Sequence, residues 1–209
     1  MSKYGKMIAN TIQIRKAYSK SKTLLGKRKR NYETQNKIFE KFNLSRSKFS
    51  ETTLSLIDKL LTKDIIYEKR NGDLLEQVSS VILQKLNYVC TIKGANTSHT
   101  VGDGGIDIQA FRNEEEKIAV YAQCKNHVNP IAPKDIKELI GTASIHDSKF
   151  KKELLFITTS YYTADAVETI EKFNAIHSKT KIVCYDFKWL IEQIELHKIS
   201  FDVIKTIYH

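Results

Sequence analysis

Asp107, Gln123 and Lys125 stand on two apolar stretches whose alternation could bring a carboxylate, an amide oxygen and an ammonium together. In residues 106–111, read as a strand, Ile106 and Ile108 are expected on one face and Asp107 and Gln109 on the other, because successive side chains point to opposite sides. In residues 118–125, Tyr121, Gln123 and Lys125 share a face opposite Val120, Ala122 and Cys124. A hairpin symmetric about Glu115 sets Asp107 across from Gln123, with Cβ atoms roughly 5 Å apart, so both could ligate one cation. A carboxylate between two isoleucines is costly to bury unless it is paired or metal-bound. Two readings follow: a structural Asp107–Lys125 ion pair, or a metal site at which Lys125 serves chemistry.

Glu76 is the next acidic candidate. It follows Asp73 at capping-box spacing, so it could satisfy a helix N-terminus. It also lies about 100° around the helix from Leu75, on the margin of the apolar face, where a site role is open as well. Asp103, within a run of glycines, reads first as a turn former, with assistance to a metal as the alternative. Thr158, Thr159 and Ser160 end a strand and either contact phosphate or form a turn into a helix capped by Thr163.

The elements that must position these residues follow from periodicity. Residues 33–71 hold two short helical patterns, with Ile38, Phe39 and Phe42, then Leu54, Ile57, Leu60 and Leu61, at helical spacing. Asn71 and Gly72 interrupt the pattern and mark the boundary of a domain over 72–209. An amphipathic helix over 73–86 precedes a strand over 88–92, the Gly-rich stretch and the hairpin. A helix at 133–146, a strand at 154–159, a helix at 164–176, a strand at 182–185 and a helix at 188–196 complete the chain. Such alternation implies an α/β fold: a mixed central sheet covered by helices on both faces.

Other chemistries lack their residues. The six histidines and the cysteines Cys90, Cys124 and Cys184 show no zinc-ligand spacing, and an odd cysteine count without CxxC pairs argues against a disulfide framework. Cys124 and Cys184, inside apolar runs, read as small buried hydrophobes. No phosphate-binding G-x-x-x-x-G-K-[ST] loop occurs. No apolar run approaches the ~18 residues of a membrane span.

Three spaced stretches carry a resemblance: Gly102-Asp103-Gly104-Gly105-Ile106-Asp107-Ile108, Ala122-Gln123-Cys124-Lys125 and Phe156-Ile157-Thr158-Thr159-Ser160. Together they resemble the Mrr branch of the PD-(D/E)xK restriction-endonuclease-like nucleases, in which glutamine replaces the usual acid before the lysine. The resemblance covers about residues 72–195. It implies a restriction-endonuclease-like fold, with Asp107, Gln123 and Glu76 as ligands of Mg2+ or Mn2+, Lys125 as the catalytic lysine, and DNA as substrate. Within that branch, the basic N-terminus and motif style are similar to fungal mitochondrial proteins required for respiratory growth.

The implied activity is metal-dependent phosphodiester hydrolysis by an endonuclease, with Lys93, Lys134 and Lys137 as phosphate contacts. The alternative is a non-catalytic nucleic-acid-binding module on the same fold. A homodimer is left open, since related enzymes use either a dimer or an added recognition domain.

The net charge of +10 resides in residues 1–32, which hold ten Lys and Arg and no acid; the remaining 24 Lys and Arg equal the 24 Asp and Glu. This tail reads first as a mitochondrial presequence. The alternatives are a nuclear signal at Lys27-Arg28-Lys29-Arg30 and a nucleic-acid-binding arm. A fluorescent protein carrying residues 1–32 is expected to enter mitochondria; a nuclear or diffuse signal would favour the alternatives.

Overall fold

The computed structural model describes residues 33, 35–62, 70–92, 105–112, 118–127, 129–145 and 151–208. By its contacts the chain divides into two units, residues 1–37 and 38–209. In the first unit, the basic tail lies outside the described residues.

Five strands form one sheet in the order β1-β2-β3-β4-β5. These are β1 (Tyr88–Ile92), β2 (Ile108–Arg112), β3 (Ile118–Lys125), β4 (Lys151–Thr158) and β5 (Thr180–Tyr185). The first three pair antiparallel, and β3, β4 and β5 run parallel. The mixed sheet flanked by helices is the α/β architecture expected from the alternation. The hairpin register is also as expected: Ile108 pairs with Ala122 and Arg112 with Ile118, although residues 113–117 of its turn lie outside the described residues.

Helices cover both faces. On one side lie α1 (Glu51–Leu61), α2 (Arg70–Lys85), α5 (Phe187–Leu196) and α6 (Phe201–Tyr208); on the other lie α3 (Pro133–Ile145) and α4 (Ala164–Ile176). The first side buries Leu56, Ile57 and Leu60 of α1, Leu75, Val78 and Ile82 of α2, and Phe187 and Ile191 of α5. They pack with Ile108, Val120, Ala122, Leu155 and Ile157 of the sheet. The second side packs Ile136 and Leu139 of α3 and Ala166 of α4 with Ala119, Tyr121, Leu154 and Phe156. Strand β4 is therefore apolar at consecutive positions, as a strand covered on both faces must be.

The helix starts obey local chemistry. The Ser50, Thr163 and Asp186 side chains accept hydrogen bonds from the amides of Thr53, Ala166 and Trp189, satisfying donors that the first helical turn leaves unpaired. Pro133 opens α3, where its missing N–H costs nothing. Asn87, between α2 and β1, takes a left-handed φ of 65°, a conformation asparagine tolerates better than most residues.

Two expectations change. Helix α2 begins at Arg70 and runs through Asn71 and Gly72, so no break falls there, and Asp73 is an interior position rather than an N-cap. A glycine costs a helix about 1 kcal/mol, which burial of Leu75, Val78, Val81, Ile82 and Leu83 outweighs. Accordingly residues 38–61 join the common core, and the contact division falls after Lys37 rather than at 72.

The second change concerns Ile106 and Ile108, which belong to cores on opposite sides of the sheet instead of sharing a face. Regular pairing starts only at Ile108. Before it, Gly105 has a φ of 81° and the Asp107 amide donates to the Ala122 carbonyl, one residue off the ladder register, so period-two alternation does not extend back to Ile106.

If the α1 segment is part of this core, Ile57→Ala, at a fully buried position, should cost about 2–5 kcal/mol in urea unfolding. A loss below about 0.5 kcal/mol would show α1 to be a dispensable appendage.

Candidate active site

Strand β3 is paired on both edges, so its polar residues gather at its C-terminal end. Asp107 sits at the entrance to β2, one residue outside the ladder, and its Oδ2 accepts the Cys124 amide hydrogen at 2.6 Å. A carboxylate thereby takes a donor that a strand carbonyl would otherwise receive. Such a charge-assisted bond holds the carboxylate firmly in position.

The Asp107 amide bonds the Ala122 carbonyl and its carboxylate bonds the Cys124 amide, so Asp107 spans the backbone on either side of Gln123. Gln123 is buried, and its Oε1 has no hydrogen-bond partner among the described residues. Leaving a buried amide oxygen unsatisfied costs on the order of 1–3 kcal/mol. Gly105 allows the close approach: a Cβ there would lie 2.8 Å from Gln123 Nε2, and its φ of 81° already disfavours any side chain.

The thiol of Cys124 reports the local charge. Burial pushes it well above the ordinary thiol range, and the negative charges of Asp107 and Glu76 push it further. Glu76 is half-buried on α2, one turn before Ser79. Burial likewise raises the Cys90 thiol to about 11 and the Cys184 thiol to about 12, so neither resembles an activated nucleophile.

Lys125 is committed elsewhere. Its Nζ donates to Asp135 Oδ1 at 2.5 Å and lies 3.6 Å from Glu138 Oε2, both on α3, and 6.0 Å from the centre of the Phe156 ring. The ion pair of Lys125 is thus with α3 rather than with Asp107. The other oxygen of Asp135 accepts the Ala132 amide at 2.9 Å, which anchors the start of the helix. Burial raises the Asp135 carboxyl, but the Lys125 hydrogen bond, the Ala132 amide and the Lys125 charge outweigh it and hold the group below the usual carboxylate range. Sequence reasoning missed this role; an aspartate in the first turn of a helix following a proline was the available signal.

The end of β4 clasps the end of β3. Thr158 Oγ1 donates to the Lys125 carbonyl at 2.9 Å, Thr159 Oγ1 to Asn126 Oδ1 at 2.9 Å, and the Ser160 amide to Thr158 Oγ1 at 3.1 Å. All three residues are buried, so they are structural groups rather than the phosphate contacts also considered for them. Asn126 Nδ2 donates in turn to the Leu60 carbonyl at the end of α1. Lys134 and Lys137 are exposed on α3, while Lys93 and Asp103 lie outside the described residues.

Among the described residues no three His, Cys, Asp or Glu converge as a metal cluster. The oxygen donors expected of Asp107, Glu76 and Gln123 are two carboxylates and one amide. Oxygen donors of this kind suit a hard cation such as Mg2+, which needs few protein ligands because it retains water. The buried, unpartnered Gln123 Oε1 is the feature that fits such an ion.

Residues 68–191 match the Mrr catalytic-domain family, described as restriction endonuclease, over more than half of the chain. The chain belongs to the Mrr restriction-endonuclease family. No curated protein matches it. Among solved structures, the DNA modification-dependent restriction endonuclease AspBHI is similar at 12% identity and a TM-score of 0.48, over 76% of this chain and 39% of its own. A protein of unknown function, AF1548, is similar at 12% identity and a TM-score of 0.36, over 63% of this chain and 74% of its own. This Mrr chain therefore spans well under half the length of the former.

If Gly105 is required for its backbone conformation beside Gln123, Gly105→Ala should lose about 1–2 kcal/mol in denaturant unfolding. Unchanged stability would show that the left-handed conformation is not needed there.

Proposed function

We propose that this Mrr domain is an endonuclease that hydrolyses phosphodiester bonds of DNA with the help of Mg2+ or Mn2+. The observation that carries the reading is the buried, unsatisfied amide oxygen of Gln123, beside Asp107 and two residues before Lys125, in a chain of this family. Asp107, Gln123 and Glu76 are the groups that would hold the ion. A divalent cation bound there supplies charge neutralisation at the attacked phosphate and acidifies a water molecule.

The chain's own groups do the rest. The Cys124 amide fixes one Asp107 oxygen and so orients the carboxylate. Gln123 contributes an oxygen without charge, which leaves Asp107 and Glu76 as the anionic ligands. Lys125 brings a positive charge to the edge of the same site, where it can stabilise charge developing on the phosphate. Where residues 1–32 serve as a nucleic-acid-binding arm instead of a presequence, their ten cations would add affinity for the DNA backbone that the formally neutral remainder lacks.

The acid-free, basic tail supports a mitochondrial address for this activity, and with it a role in mitochondrial genome maintenance. The nucleus is the alternative address. A nuclease fold retained only for binding is the competing function, and it has no use for an unsatisfied ligand oxygen.

Plasmid nicking with Mg2+ or Mn2+, and with EDTA added, tests the proposal. Asp107→Asn keeps an acceptor for the Cys124 amide while removing the charge, and should abolish cleavage without unfolding the protein. Lys125→Ala should slow cleavage by roughly 100-fold, by analogy with a lost oxyanion donor. Gln123→Glu, which keeps an oxygen ligand, should retain metal binding. Full activity in Asp107→Asn, or an inert wild-type protein on every DNA tried, would leave the binding module as the better account.

A further inference from the structure

Lys125 would be a poor instrument if its side chain were free, because a four-carbon stem ending in an ammonium samples many rotamers. Its surroundings restrict it. Phe156, fully buried, lies under the ammonium at 6.0 Å, and Asp135 Oδ1 accepts a hydrogen bond from it at 2.5 Å. Side-chain exposure separates this amine from its neighbours: Lys125 is 22% exposed and Asp135 21%, whereas Lys134 on the same helix is 87% exposed.

Asp135 is itself held at two points. Its Oδ2 accepts the Ala132 amide, and the segment leading into α3 is tied down by the Ile131 amide donating to the Tyr161 carbonyl at 2.8 Å and by the Thr163 amide donating to the Ile131 carbonyl at 3.0 Å. One oxygen of the carboxylate thus serves the backbone while the other serves Lys125. Glu138, one turn further along α3, lies 3.6 Å from the same ammonium through one oxygen and 3.8 Å from Lys134 through the other. The capping function of Asp135 would need only Oδ2. The second contact reaches the one lysine of the proposed site.

We propose that Asp135, backed by Glu138, is the positioning residue of the Lys125 ammonium, holding it at the end of β3 until the DNA phosphate competes for it. The inference rests on the nuclease reading for its chemical purpose, but the clamp itself is a property of the fold. Asp135 does not act on DNA directly, and as an anion beside the site it opposes phosphate approach. Removing its charge should therefore impair the step that uses Lys125 while leaving DNA binding unchanged or tighter. A purely structural role would instead lower stability and the active fraction.

The substitution that separates these roles is Asp135→Asn, whose amide oxygen can still accept the Ala132 hydrogen while the charge facing Lys125 is gone. Two measurements are made on the full chain. The first is reductive methylation read by mass spectrometry, with Lys134 as the internal exposed standard. Lys125 is expected to label more slowly than Lys134 in the wild type and to approach its rate in Asp135→Asn. The second is nicking kinetics, in which Asp135→Asn should lose roughly 10- to 100-fold in kcat with KM equal or lower, as expected when a reacting group is misplaced. Asp135→Glu should recover part of the rate.

Lys125 labelling as fast as Lys134 in the wild type, or equally in wild type and Asp135→Asn, overturns the clamp. So does a wild-type kcat in Asp135→Asn, or a loss of activity that follows a lowered melting temperature. An inert wild-type protein that still shows the labelling difference refutes the nuclease reading and supports the clamp.

Discussion

A strand paired on both edges and covered on both faces can present polar groups only where its ladder ends, and β3 is such a strand. Its flanks are β2 and β4, and its faces meet the α1/α2/α5 core on one side and the α3/α4 core on the other. Val120, Tyr121 and Ala122 are accordingly buried without interruption. Gln123, Cys124 and Lys125 then supply an amide, a backbone donor and an ammonium in consecutive positions. The Asp107 carboxylate closes the β2 edge by taking the Cys124 amide, and Thr158 closes the β4 edge by donating to the Lys125 carbonyl. The geometry of the candidate site is thus a consequence of how one central strand stops.

This dependence explains which features were legible in the sequence. Alternation in 118–125 and symmetry about the intervening turn were enough to obtain the pairing of Ile108 with Ala122, because a one-residue slip would move every side chain of the hairpin to the wrong core. The same rule failed two residues earlier. Ile106 entered the other core because Gly105 turns the backbone, and no periodicity can anticipate where a ladder begins. Helix α6 was not foreseen: it has eight residues and a single fully buried hydrophobic, Ile204, so docking rather than intrinsic propensity makes it. The start of α2 was misplaced for the converse reason. A glycine penalty is local, whereas the burial that overrides it is set by the whole core.

The partner of Lys125 was illegible for a deeper reason. Spacing along paired strands shows which residues can meet across a hairpin, and it pointed to Asp107 as the counter-charge. The actual counter-charges come from α3, whose position over the sheet is set by the loop contacts among Ile131, Tyr161 and Thr163. Two acids one helical turn apart are an ordinary solvated face in sequence. Only the packing of α3 beside the end of β3 turns Asp135 and Glu138 toward an ammonium.

The resulting charge arrangement constrains any encounter with DNA. Among the described residues, Asp135 and Glu138 both face the Lys125 ammonium, so its positive charge is already offset where a phosphate would approach. A polyanion meets repulsion there unless cations intervene. On the nuclease reading a divalent ion among the oxygen donors would offset the charge at short range, and where residues 1–32 act as a nucleic-acid-binding arm their ten cations would add attraction over the Debye length of about 10 Å. The short-range part governs the chemical step and the long-range part governs capture. Salt should therefore weaken capture by the tail far more than it weakens the partly buried Lys125–Asp135 pair, because exposed charges are screened and sheltered ones much less so.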